Sequence, residues 1–359
     1  MVGSYPVFDG HNDVLSKLAG AADERFFDGD AATEFDLPSA RAGGVTGGLF
    51  AVFPEEPPEH EGRRGSTHLR DGRGTVVDVA PAVTERYARA RAFDQLARLY
   101  RIERRAEGDV EVVRTAADLR RSAADETTLT AVVHFEGAEP LGHDLSHLPA
   151  FYAAGLRSLG LVWSRPNAFG HGVPFRRPST PDLGPGLTAR GRELVRRCNR
   201  LGVVVDLAHL NEAGFWDAAE ESTDPLVVSH TAAHELSPSA RNLTDEQLDA
   251  VGESDGLVGV TFHVPDVHPD CERDTTVSVD VVADHVDYVA DRIGVDHVAV
   301  GSDFDGATPP DALGDAGEVQ TLFRALERRG YDREEIRRIA RDNWVSTLAE
   351  TMASAEATD

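Results

Sequence analysis

A chain of 359 residues with 62 acidic against 36 basic side chains, and a formal net charge of −26, is a poor partner for nucleic acid or for an anionic membrane surface. With 41% apolar residues it can build a sizeable core, and its length suits one large barrel or two ordinary domains. Lys17 is the only lysine; with the acidic excess this reads as a halophilic protein, since concentrated salt shortens the Debye length to about 3 Å and screens like-charge repulsion. Cys198 and Cys271 are too few for a disulfide framework and lack zinc-knuckle spacing, so both are expected to be free thiols. The stretch MVGSYPVFDGHND shows no basic n-region and no apolar h-region, so no signal peptide is expected, and no segment reaches transmembrane length. The expectation is a soluble, cytoplasmic protein.

The first apolar run, YPVFD (5–9), climbs to Gly10, where a bend is predicted, and then presents His11 and Asp13. Residues i and i+2 of an extended segment point to one side, so both side chains can reach one point in space. A polar turn after a strand is the plain alternative. GGLFAVF (47–53) is the second strand, and the segment that follows, 54–79, is rich in Pro, Gly and charge. A loop of this length is expected to be a rim or lid insertion. A helix over 80–107 leads to LTAVVHF (129–135), which ends at Glu136. RSLGLVW (157–163), a helix over 187–201, and GVVVDLA (202–208), which runs into His209, come next. PLVVS (225–229) runs into His230, GLVGVTF (256–262) into His263, and, after a helix over 278–293, HVAVGS (297–302) into Asp303. A helix over 316–329 precedes a last one from near Asp332 to about 353, which leaves 354–359 as a frayed tail. Strands alternating with helices imply parallel pairing with right-handed crossovers. Eight of them predict a single (β/α)8 TIM barrel over 1–353, with an open doubly wound sheet as runner-up.

His11, Asp13, Glu136, His209, His230 and Asp303 each follow a predicted strand, the end at which barrel enzymes carry chemistry. Three imidazoles with two or three carboxylates suit a borderline divalent ion, zinc first. Five ligands exceed one open tetrahedral site and fit two ions that share a carboxylate.

The motifs DGHND, EG after a strand, DLAH, VVSH, ARNLTDEQL and GSDFDG, in this order from residue 7 to about 345, resemble those of the membrane (renal) dipeptidase family, zinc peptidases of the amidohydrolase-like barrel class. A haloarchaeal member would account for the composition. The resemblance implies two Zn2+ per chain, with His11 and Asp13 on one, His209 and His230 on the other, and Glu136 bridging. It implies a hydroxide held between the ions, Asp303 as the general acid–base beside catalytic Glu136, and Arg241 gripping the substrate's C-terminal carboxylate. The plain alternatives are a surface ion pair for Arg241, a turn cap for Asp303 and a satisfied core histidine for His230. At the end of the fourth strand the family commonly carries a histidine, where this chain has Trp163, an indole that donates one hydrogen bond and does not titrate. His171 is a candidate to fold back into that role, with a solvent-facing loop position as its plain alternative. Trp163 and His263 are expected to shape the substrate pocket, and His134 to pack below the metals. The function implied is a dipeptidase acting on a small substrate with a free carboxylate, with a homodimer among the possible assemblies. Another binuclear barrel hydrolase (a lactonase, deaminase, phosphoesterase or N-acyl amino acid hydrolase) and a non-catalytic binding protein are the rivals.

Overall fold

The computed structural model describes residues 4–19, 23–29, 31–57, 69–70, 75–77 and 81–356. Eight parallel strands follow one another in chain order around one sheet. They are β1 (Val7–Asn12), β2 (Val45–Val52), β3 (Leu129–Glu136), β4 (Leu156–Gly160), β5 (Val204–Asp206), β6 (Val227–Thr231), β7 (Leu257–Val260) and β8 (Val298–Val300). The ring draws shut between β1 and the chain just past β8. Asn12 and Phe304 form a parallel bridge, and the Asp13 N–H donates to Phe304 O at 2.8 Å. Ser302 adds its N–H and its hydroxyl to the two oxygens of Asp9, both at 2.8 Å. The expected barrel is therefore the fold, and the open sheet is not.

The strands are buried on both faces, as an enclosed parallel sheet requires. Helices between them bury one apolar stripe each. Helix α1 (Glu85–Arg105) starts at the Thr84 side chain, which accepts from Tyr87 N–H at 3.3 Å. Helix α2 (Ala189–Leu201) starts at Thr188, stops where Gly202 takes φ 62°, and buries Leu194, Val195 and Cys198. Helices α3 (Asp280–Ile293), α4 (Gln320–Arg329) and α5 (Asn343–Glu356) complete the shell. Among the described residues no helix is long and apolar enough to cross a membrane.

Helix α5 closes the N-terminal mouth of the barrel. Trp344, Leu348 and Met352 pack on Phe8, Leu49, Val132, Val227 and Leu257, inward residues from the early part of the strands. The Trp344 indole donates to Val300 O at 2.8 Å. This explains Gly10, where the sequence suggested a bend. The register of β1 against β2 shifts between Asp9 and Asn12, an irregularity at the expected place, and a Cβ on Gly10 would also run into the Trp344 ring and sit 2.8 Å from both Ser229 O and Val300 O.

Three further departures from the expectation have local causes. Val110–Val112 adds a short parallel strand beside β3, too brief to leave a pattern. Most of the 54–79 insertion, at 58–68, 71–74 and 78–79, lies outside the described residues. Its backbone at Leu69–Arg70 and Thr75–Val77 builds a small antiparallel sheet with Phe175–Arg177. The chain expected to fray after 353 stays helical to Glu356.

Candidate metal centre and substrate cavity

The strand ends place the sequence-predicted residues around one point. His11 lies on β1, Glu136 closes β3 and His230 lies on β6, all pointing inward and buried. His209 and Asp303 sit three residues beyond β5 and β8, and both take left-handed backbone, φ 66° and 64°. Such conformations cost non-glycine residues energy and are held where the surroundings over-determine them. Here the Asp303 N–H is tied to His11 O at 3.0 Å and the His209 carbonyl to Val173 N–H at 2.8 Å.

Distances within the cluster are short. Glu136 Oε1 is 3.0 Å from His209 Nε2 and 3.7 Å from His230 Nε2, and the two imidazole nitrogens are 3.0 Å apart. His11 Nε2 is 3.5 Å from Asp13 Oδ2, 3.9 Å from Glu136 Oε2 and 4.0 Å from Asp303 Oδ1. Three overlapping groups, His11–Asp13–Glu136, Glu136–His209–His230 and His11–His230–Asp303, each hold their donor atoms within 4.8 Å of one another.

Protons alone do not satisfy this arrangement. Ser229 spends its one hydroxyl proton on Asp206 Oδ2 at 2.5 Å, so at 2.7 Å it accepts from His230 Nδ1. His230 therefore carries its proton on Nδ1 and turns a bare Nε2 toward Glu136 and His209. Ser164 similarly sits 2.7 Å from His209 Nδ1. Both His11 nitrogens and Asp13 Oδ1 are buried with no hydrogen-bond partner. Burial pushes Glu136 well above the ordinary carboxylate range, helped by Asp13, and pushes Asp303 up to about 8. Burial opposes a proton on His11, yet Asp13, Glu136 and Asp303 together drive it up to about 10. Carboxylates crowded on bare imidazole nitrogens form a pocket that fits positive charge, and one or two divalent cations suit this donor set.

A layer below steadies this ring, and sequence reasoning found only one member of it. His134, expected beneath the metals, is there: its Nδ1 is 2.9 Å from Ser158 Oγ and its ring meets His11 edge-on. Asp9 and Asp206 were missed, as were Ser164, Ser229 and Ser302. Asp206 ties β5 to β6 by accepting from Ser229 N–H at 2.8 Å, as Asp9 ties β1 to the end of β8. The DLAH motif contained the Asp206 signal, but its partner is on the next strand.

Above the ring opens a cavity of about 550 Å3, lined by Asp13, Glu136, His209 and Asp303 and by all three expected substrate residues, Arg241, Trp163 and His263. His171 is not among its lining residues. Trp163 forms an aromatic wall with Phe53 and Phe175, at ring distances of 5.2 and 5.6 Å. Behind it lies Arg165, fully buried, its guanidinium 5.2 Å from both the Phe53 and Trp163 rings and paired with Glu139 at 3.0 Å. His263 accepts from Thr308 N–H at Nδ1 (3.1 Å), which puts its own proton on Nε2, and burial holds it down to about 4.

Arg241 is 7% exposed. Its guanidinium donates one hydrogen bond, to His230 O at 3.1 Å, and forms no ion pair with any described residue. Its neighbour Arg177 is fully engaged, at 2.7 Å from Asp266 Oδ1 and 2.9 Å from Pro265 O.

Comparison with known proteins gives this geometry a lineage. The profile of the family described as membrane dipeptidase (peptidase family M19) matches residues 1–359. The structure superposes with a TM-score of 0.91 on one described as the dipeptidase AC, a metallo peptidase of family M19, at 41% identity over 98% of this chain and 99% of that one. A metallo peptidase from Rhodobacter sphaeroides, liganded with a phosphinate mimic of the dipeptide L-Ala-D-Ala, gives the same TM-score at 42% identity, covering 97% and 100%. An uncharacterized protein encoded in the pqqA 5′ region of Klebsiella pneumoniae is 42% identical over 256 residues, 71% of this chain and 94% of that protein.

Proposed function

We propose, for a chain that belongs to the membrane dipeptidase family of metallopeptidases, that it hydrolyses the peptide bond of dipeptides bearing a free C-terminal carboxylate, L-Ala-D-Ala among the candidates. One observation carries the reading: Arg241 is a buried guanidinium with no carboxylate partner among the described residues, at the wall of a cavity of dipeptide size. Burying a charge without a partner is costly, and a planar fork matches a carboxylate with two parallel hydrogen bonds.

The chain's own residues divide the work. His11, Asp13 and Glu136 would hold one divalent ion, and Glu136, His209 and His230 the other, with zinc the first choice for imidazole and carboxylate donors. When bound, two such ions supply a nucleophilic water at neutral pH and polarise the scissile carbonyl. The Ser229 and Ser164 hydroxyls fix the orientation of the His230 and His209 rings. Arg241 sets the substrate's register by its carboxyl end. Asp303, whose Oδ1 stands 4.0 Å from His11 Nε2, takes the proton from the attacking water and gives it to the departing amine. The water oxygen ends on the new carboxyl group and its proton on the new amine. Trp163, where the family commonly has a histidine, places an apolar surface beside the scissile bond and favours an apolar N-terminal side chain. The two free cysteines fit a cytoplasmic setting.

Dipeptides compared with dipeptide amides test this reading. Losing one partner of a desolvated charge pair costs about 2–5 kcal/mol, roughly a thirtyfold to several-thousandfold fall in kcat/KM. Amides and the Arg241→Ala variant should both fall within that range, with Arg241→Lys recovering only part and metal content unchanged. Equal cleavage of amides and free dipeptides would make Arg241 structural and exclude the exopeptidase reading.

A further inference from the structure

Three guanidiniums reach the cavity, Arg177, Arg241 and Arg273. Arg177 is neutralised by Asp266, and Arg241 is assigned above to the substrate's α-carboxylate. Arg273 has no hydrogen bond or ion pair with any described residue. Elsewhere in this acidic chain some exposed arginines gather several carboxylates. Arg192 holds Asp217, Glu220 and Glu221, and Arg292 holds Asp245 and Asp249.

The loop that carries Arg273 is pinned on either side of it. Ser237 Oγ donates to His268 O at 2.8 Å and touches Cys271 Sγ at 3.4 Å. Beyond Arg273, Thr276 N–H donates to Asp274 Oδ1 at 3.0 Å, and Asp311 N–H to Thr275 O at 2.7 Å. Only the side chain is left unengaged. Arg273 lines the same cavity as Arg241, His263 and Asp266, and Ser239 links that side to Arg241, donating to Asp266 Oδ1 at 2.7 Å and accepting from the Arg241 N–H at 3.3 Å. Partial burial and the neighbouring Arg177 disfavour the Arg273 charge, and Asp266, already bound to Arg177, offsets only part of that.

We infer that Arg273 is a specificity-determining residue that reads an acidic side chain on the C-terminal residue of the dipeptide, beside the α-carboxylate held by Arg241. The inference rests on the dipeptidase reading and narrows it to substrates ending in aspartate or glutamate. Such substrates bring two carboxylates to two guanidiniums that lack them. A C-terminal lysine or arginine would meet like charge.

The test compares charged side chains with neutral isosteres on metal-loaded enzyme: Ala-Glu with Ala-Gln and Ala-Asp with Ala-Asn, each with L and D C-terminal residues, and Ala-Ala as reference. A partly exposed pair should favour the acidic member by roughly three- to tenfold in kcat/KM. The ratio should shrink from dilute to molar KCl as the charges are screened. In Arg273→Gln it should fall to about one, and in Arg273→Glu below one. Equal cleavage of the acid and amide partners by wild type, or a preference that survives in Arg273→Gln, overturns the assignment and leaves the dipeptidase reading standing. Failure to cleave any dipeptide, Ala-Ala included, overturns both.

Discussion

The ion pair behind the aromatic wall offers a quantitative test of how the cavity is held open. Arg165 is 0% exposed and Glu139 4%. Arg165 Nε donates to Glu139 Oε1 at 3.0 Å and Nη2 to Pro54 O at 2.8 Å, so it ties the start of the 54–79 insertion to the turn just after Glu136. The pair is imperfect, since Arg165 Nη1 and Glu139 Oε2 have no hydrogen-bond partner among the described residues. Removing one member of a buried pair strands the other charge and costs about 3–5 kcal/mol. Glu139→Met should fall in that range. Glu139→Gln, which keeps an acceptor, should sit near its lower edge. Replacing both charges at once removes the stranded group and leaves Pro54 O without its donor, a loss of about 1–3 kcal/mol. The Glu139→Met/Arg165→Met double variant should therefore be more stable than either single. Urea unfolding of the metal-loaded proteins in molar KCl reads these values, and the coupling follows from the cycle. Single variants within about 1 kcal/mol of wild type, or a double variant that loses the sum of the singles, would refute the reasoning.

Elemental analysis of the purified protein should give close to two divalent ions per chain, and Glu136→Ala should deplete both sites because it removes the shared carboxylate; a wild-type value of one ion would exclude the binuclear arrangement. The melting temperature should climb steeply from dilute buffer to molar KCl as salt screens the net charge of −26. A flat profile would leave only a generic acidic surface.

Each of the eight strand runs in the sequence overlaps an observed barrel strand, because a strand buried on both faces must be apolar nearly throughout. The metal-type residues were legible for a related reason: each comes directly after such a run, where no core demand explains a histidine or a carboxylate. What remained hidden depends on pairing between distant segments. Asp206 reads as a polar residue inside a motif until Ser229 is seen beside it. Arg165 and Glu139 are 26 positions apart and show no spacing that announces a pair. The sheet under the 54–79 insertion needs Phe175–Arg177, about a hundred residues later. At Gly10 the local irregularity was legible, but the distant indole it makes room for was not.

The Trp344 plug makes completion of the barrel depend on contacts between segments far apart in the chain. The contact that shuts the ring, Ser302 to Asp9, spans 293 positions, and the indole that fills the barrel's lower mouth lies in the last helix. Until those distant segments meet, the chain is an incomplete sheet with open parallel edges, the slow and aggregation-exposed kind of intermediate. His11 belongs to the first strand, but the seat it shares with Asp303 forms only when the end of β8 has come round to β1. A cation that needs His11 and Asp303 together therefore has its full seat only once the ring has closed.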